Sequence, residues 1–234
     1  MQNDSREIRL ERLTRREFRE ALQAGHYRVA IVATGSIEQH LEHLALVQDI
    51  ASSTYLAERI AERLSPNVVV AAPVSIGIAE HHMQFAGTLS AKPGSWLAVM
   101  FDVVESLVRH GVNRVLLLNG HAGNVAPMQG AMPQWKLYFE KEHPEVDLRF
   151  LSYWDLLPAE FATKVLDTGR FPGHATEFET SFTMHAIPEN VRIKAMPYSE
   201  NPDVRAATAE KGRLIVEKTL DEITKVVEEM LAGA

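Results

Sequence analysis

Continuous apolar runs alternate with helical periodicity along this chain. Arg28 to Thr34, apolar from Val29 to Ala33 and ending at Gly35-Ser36, reads as a strand buried on both faces, as strands in parallel sheets are. Asn67 to Ser75, Val115 to Leu118 and Val146 to Ser152 read the same way. Between them the spacing turns helical. Ile50, Leu56, Ile60 and Leu64 mark a helix over Asp49 to Leu64. Leu97, Phe101, Val104, Leu107 and Val108 mark another over Ser95 to His110, with Gly111 placed for a left-handed C-terminal cap. Asn124 to Glu142 is helix-compatible, with Asn124 a candidate cap. Leu10, Leu13, Phe18 and Leu22 give Ile8 to Ala24 the spacing of a short amphipathic helix. A helix is expected from Glu177 to about Met184, and a long amphipathic one over Val204 to Leu231 that Gly212 could interrupt. This alternation predicts an α/β fold with a mainly parallel sheet. No repeat, low-complexity tract or Gly, Pro and Ser-rich linker divides the chain, so one domain over residues 1–234 is expected.

At 234 residues, 46% hydrophobic and 24% charged, the chain is long enough to bury a core without a disulfide or metal staple. A bound metal would therefore point to function. There is no cysteine, which excludes disulfides, thiolate zinc sites and thiol nucleophiles. Any metal must then be held by oxygen and imidazole nitrogen. The 24 Lys and Arg against 31 Asp and Glu give a net charge of -7 with no basic stripe, which argues against a nucleic-acid partner. No apolar run approaches the roughly 20 residues that span a bilayer, and Met1 to Leu13 is charged and lacks signal-peptide organisation. A cytoplasmic, non-membrane protein is expected.

The ten histidines matter by placement. Ligands of open parallel sheets bind beyond the carboxyl ends of the strands, and three segments place polar groups after strands or at helix starts. The first runs from Thr34 through Glu38, His40 and His43 to Asp49; Glu, His and Asp suit Zn, Mn or Fe, while the plain alternative is a polar loop with Asp49 capping a helix. The second, Asn119-Gly120-His121-Ala122-Gly123-Asn124, puts a histidine on a tight glycine-flanked turn, where it either binds a ligand or merely hydrogen-bonds. The third, Gly173 to Ser181, joins His174 to Glu177 and Glu179; it suits metal binding, proton transfer or an acidic first helical turn. Together they favour a dinuclear hydrolase.

These residues resemble the creatininase, or creatinine amidohydrolase, family in four ordered motifs. The pattern G-S-x-E-Q-H-x-x-H is Gly35 to His43, with Asp49 at the family spacing. His81 to Thr88 resembles H-H-x-x-F-P-G-T, Asn119 to Asn124 matches N-G-H-x-x-N, and His174 to Ser181 matches H-x-x-x-x-E-T-S. Ser152-Tyr153-Trp154-Asp155 is similar as well. The resemblance implies a three-layer α/β/α domain, a two-metal centre at the strand ends and a homo-oligomer, usually a hexamer. By matching position, Glu38, Asp49 and His121 would hold one metal, and His40, Asp49 and a late carboxylate the other. Members acting on creatinine itself supply that carboxylate two residues after the motif histidine, which here is Gly123. Glu179 is the expected replacement and Glu177 the second choice.

A hydroxide shared by two divalent ions would attack a carbonyl of a small cyclic amide or formamide. His174 is expected to deliver the proton to the leaving group, and His43 to orient a ligand. Trp154 and Tyr153 are expected to line the pocket. Adjacent residues of an extended segment point to opposite sides, so His82 is expected to meet substrate while its neighbour His81 faces away. Ala122 and Arg170 replace family aromatics, and Leu41-Glu42 replaces Gly-Pro, which argues against creatinine as substrate. A ring-opening hydrolase of a cyclic keto-polyol such as a keto-inositol, or a non-catalytic metal-binding assembly protein, are the alternatives.

Overall fold

The computed structural model describes residues 7–233. Four strands, β1 (Val29–Thr34), β2 (Val68–Val74), β3 (Arg114–Asn119) and β4 (Asp147–Ser152), form one parallel sheet in the order β2-β1-β3-β4. All six residues of β1 are buried, because its two sets of alternating side chains enter different cores. Val29, Ile31 and Ala33 face a layer made by α2 (Gln48–Arg63), α5 (Ala159–Val165), α6 (Glu177–Ala186) and α7 (Ala209–Ala232). Ala30 and Val32 face the other layer, made by α1 (Arg15–Gln23), α3 (Pro93–Arg109) and α4 (Val125–Glu140). The result is a three-layer α/β/α arrangement. No helix among the described residues is long and apolar enough to cross a membrane.

Three of the α-helices differ from the sequence expectation, and one of them, α5, has no counterpart in it. The N-terminal amphipathic stretch is a 3-10 turn, Leu10–Arg12, followed by α1. Thr14 sets the break: its hydroxyl accepts from the Glu17 N–H while the Glu17 carboxylate accepts from the Thr14 N–H. The C-terminal helix begins only at Ala209, capped by the Thr208 hydroxyl, and runs through Gly212 unbroken. Gly212 is there for packing. A Cβ at this position would collide with the Ser181 carbonyl oxygen, so the absent side chain lets α7 lie directly on α6.

After β1 the chain crosses to β2 on one side, and later returns to place β3 on the other. The carboxyl ends of β1 and β3 thus lie side by side at the point where strand order reverses, the place where parallel sheets form a ligand crevice.

Candidate metal centre

Three chain segments converge over these strand ends. The loop after β1 carries Glu38 and His40 and delivers Asp49 as the second residue of α2. Gly120, directly after β3, permits this convergence: a Cβ there would strike the Asp49 carbonyl oxygen. His121 follows, and its turn is clamped by two asparagines. Asn119 accepts from the His121 N–H and donates to the His121 carbonyl, while Asn124 donates to Asn119 Oδ1 and to the Gly35 carbonyl. Asn124 also accepts from the Ile78 N–H, so it ties three loops together and makes no side-chain cap of α4. The third segment brings His174 and, in the first turn of α6, Glu179, whose carboxylate accepts from the Ala175 N–H.

The ligand-capable atoms meet at short range. His40 Nε2 lies 3.0 Å from Asp49 Oδ1 and 3.9 Å from Glu179 Oε2. His121 Nδ1 lies 2.9 Å from Asp49 Oδ2 and 3.4 Å from Glu38 Oε2. His40, Asp49 and Glu179 form one set able to share a cation, and Asp49 also reaches the Glu38–His121 pair. The backbone fixes both rings in the orientation a metal requires. His40 Nδ1 donates to the Glu38 carbonyl and His121 Nε2 donates to the Ile78 carbonyl, which turns the remaining nitrogen of each toward the centre. Despite these contacts, Glu38 Oε2, Asp49 Oδ2 and His40 Nε2 are buried and make no hydrogen bond of good geometry among the described residues. Unpartnered buried atoms at these separations fit ligands aimed at a shared cation, with bonds of about 2.0–2.2 Å.

The electrostatics agree. Burial opposes charge on both His40 and His121, but Asp49 lifts His40 to about 9, and Asp49 with Glu38 lifts His121 to about 10. Burial works against the Asp49 carboxylate too, yet the two imidazoles hold it below the ordinary range. Glu179 goes the other way: burial raises it to about 7 against the pull of His40. Three carboxylates in so dry a space call for positive charge, which these histidines partly supply and divalent cations would supply fully.

A cavity of about 360 Å³ opens on the centre, walled by His81, His82, Ala122, Trp154, Pro172 and His174. Glu38, Asp49, His121 and Glu179 form its floor. Burial, then the neighbouring His40 and His82, depress His174 to about 3, so this ring is neutral. Tyr153 does not line the cavity. It is 1% exposed, packed against Trp154, Phe178 and Phe182, so the expected substrate contact is corrected to a core position under the site. Glu177 is turned away as well, its carboxylate bound by Lys211 and by the Asp167 and Thr168 N–H groups. Arg170 pairs with Asp203 at 3.1 Å and is absent from the cavity wall. A Cβ at Gly123 would press on the Ile78 carbonyl and the His121 ring, so this turn has no room for a glutamate ligand. His43 shares a hydrogen bond with Thr180, the neighbour of Glu179, rather than with a ligand itself.

One expectation is overturned at His81, and one residue, Gln39, escaped the sequence reading. The segment Glu80–His82 is a 3-10 turn, not an extended one, and both of its histidines reach the cavity. His81 stacks on His121 at 5.7 Å and His82 on His174 at 4.6 Å between ring centroids. Gln39, between two expected ligands, donates from Nε2 to His82 Nδ1 and His174 Nε2 at 3.1 and 2.8 Å.

A family model described as creatininase, creatinine amidohydrolase, matches residues 11–206. A creatinine amidohydrolase from Pseudomonas putida is 25% identical over 260 aligned residues, covering 96% of this chain and 98% of that protein. A mycofactocin precursor peptide peptidase from Mycolicibacterium smegmatis is 26% identical, over 70% of this chain and 60% of its own length. Among solved structures, a creatinine amidohydrolase (creatininase) superposes with a TM-score of 0.85 at 24% identity, covering 96% of this chain and 98% of that one. A structure named creatininase Mn gives 0.83 at 23% identity with the same coverage. With the family match spanning most of its length, and the sheet and both helical layers in common, this chain belongs to the creatininase family of metal-dependent amidohydrolases.

Proposed function

We propose that the chain hydrolyses the C–N bond of a small polar amide, a cyclic amide or a formamide, at two divalent cations. The observation that supports this reading best is the set of buried, mutually aimed, unpartnered ligand atoms at the floor of a small cavity. Glu38, Asp49 and His121 would hold one cation, and His40, Asp49 and Glu179 the other, with Asp49 bridging. Zn, Mn or Fe would supply a Lewis acid for the carbonyl oxygen and bring the pKa of water toward neutrality. The remaining work falls to the chain itself. Trp154 offers a flat wall for a planar amide, and Ala122 leaves open the space beside His121 that an aromatic would fill. His174, neutral at rest and with its side chain 34% exposed at the cavity, takes the proton of the attacking water and returns it to the leaving nitrogen. Replacing one general acid–base group costs on the order of 10²–10⁴ in rate, so His174→Asn should lower kcat by that factor and leave metal content unchanged.

The test is turnover by the metal-loaded protein of cyclic amides, formamides, short peptides and keto-inositols. Hydrolysis within the amide classes supports the reading. Turnover of a keto-inositol alone would move the reaction to C–C cleavage. Two bound ions with no turnover of any class would favour the assembly-protein alternative. We further propose a homo-oligomer, for which Ile76, Met83, Phe85 and Leu89, apolar yet 43–49% exposed beside the cavity segment, are the support. Sedimentation velocity would check it, and a monomer at working concentration would refute it.

A further inference from the structure

The Gln39 amide has a fixed orientation. Its Oε1 accepts from the Leu41 N–H at 3.0 Å, and a backbone N–H can only donate. Leu41 occupies the left-handed region at φ +55°, the conformation a glycine adopts readily, and this tight turn directs its N–H back to the Gln39 side chain. The Gln39 backbone N–H is meanwhile held by Thr88 Oγ1. With its oxygen committed, Gln39 presents only its NH2 group to the two histidines. Nε2 sits 2.8 Å from His174 Nε2 and 3.1 Å from His82 Nδ1, one amide hydrogen for each ring.

A nitrogen that accepts a hydrogen bond carries no proton. His174 must then be protonated on Nδ1 and His82 on Nε2. Both of those atoms face the same carboxylate oxygen, Glu38 Oε1, at 3.5 and 3.8 Å. The other oxygen, Glu38 Oε2, is the buried unpartnered atom on the His121 side. A chain of polar contacts thus runs from a backbone N–H through Gln39 and two rings to one metal-ligating carboxylate.

We propose that Gln39 is a positioning residue that sets the tautomer of both histidines. It holds His174 with its N–H at Nδ1 and His82 with its N–H at Nε2, so that both N–H groups face Glu38 Oε1 and Oε2 is left for the cation. This deepens the reading in which His174 serves the leaving nitrogen, and it specifies the resting tautomer: the N–H sits on Nδ1, and Nε2 takes up the proton of the attacking water only as the Gln39 amide lets it go. An imidazolium would set an Nε2–H against the Gln39 NH2, donor against donor, unless Gln39 gave up its Leu41 contact.

Long-range proton–nitrogen NMR on metal-free protein with ¹⁵N-labelled histidine reads the tautomers directly and needs no turnover. The wild-type protein should show His174 protonated on Nδ1 and His82 on Nε2. Gln39→Glu keeps the shape but replaces the donor with an acceptor, so the His174 proton should move to Nε2 or a second one should be added there. Gln39→Met, which neither donates nor accepts, should give mixed tautomers. In the metal-loaded enzyme either variant should lose on the order of ten- to a hundredfold in metal affinity or kcat. A wild-type His174 protonated on Nε2, or tautomers unchanged in Gln39→Glu, would overturn the proposal. Tautomers as expected together with full activity of His174→Asn would instead overturn the catalytic reading of His174 and leave the Gln39 assignment standing.

Discussion

Asp49 is 3% exposed and lies within 3.0 Å of the His40 and His121 nitrogens from two different loops, the position expected of a bridging carboxylate in the proposed centre. Asp49→Ala should therefore take metal content from about two ions per chain to fewer than one, measured by elemental analysis of protein purified without chelator. A variant that keeps both ions would refute the bridging position. The ligand types and their spacing after strands were legible in the sequence, because a parallel sheet puts functional groups at one place, the carboxyl ends of its strands. The choice between Glu177 and Glu179 was not. Positions two apart on a helix point roughly 200° from each other, and only the packing of α6 decides which one faces the site. Tyr153 and His81 show the same gap: one looked exposed and is buried, the other was expected to face away and lines the cavity.

Helices α6 and α7 carry no cavity ligand except Glu179, yet their contact sets where that ligand stands. Gly212→Ala offers a test with an unambiguous sign. On helix propensity alone the substitution would stabilise by about 1 kcal/mol. Against the Ser181 carbonyl the added Cβ has no space, and destabilisation of about 1–3 kcal/mol is expected instead, with weaker metal retention as α6 is displaced. Chemical denaturation with m-value analysis separates the two. The same helix pair holds Glu177, fully buried and bound to Lys211. Burial would raise the Glu177 pKa, but Lys211 and the Thr168 and Asp167 N–H groups outweigh it and hold the carboxyl below its usual range. Its stabilising effect is therefore complete above the unfolded-state pKa and is lost as pH falls through the lower folded value. In metal-free protein, Glu177→Gln should cost about 1–3 kcal/mol at pH 7, and the gap to wild type should shrink as pH drops below about 4.5. A gap independent of pH would show that the charge is not what matters.

The whole molecule joins candidate ligands from residues 38 to 179, which no unfolded chain would hold together, so cations held by them would bind the folded state alone. Chelation should lower the Tm in a manner reversed by added metal. Far-UV circular dichroism should stay unchanged, because the sheet is buried between two apolar layers whose packing needs no cation. Collapse of secondary structure on chelation would contradict that separation. The sequence by itself determined the alternation of the four strands with their main helices, the parallel sheet, the carboxylates and imidazoles at the strand ends and the family they resemble, but not α5. Apolar runs, helical spacing and motif order are local properties, readable without knowing what they pack against. Tertiary structure alone decided which groups face the cavity, why Gly212 stands inside a helix, and how Gln39 addresses His174 across 135 positions of sequence. Those outcomes depend on side chains from distant segments meeting in a dry, close-packed space, where each must satisfy the donors and acceptors it finds there.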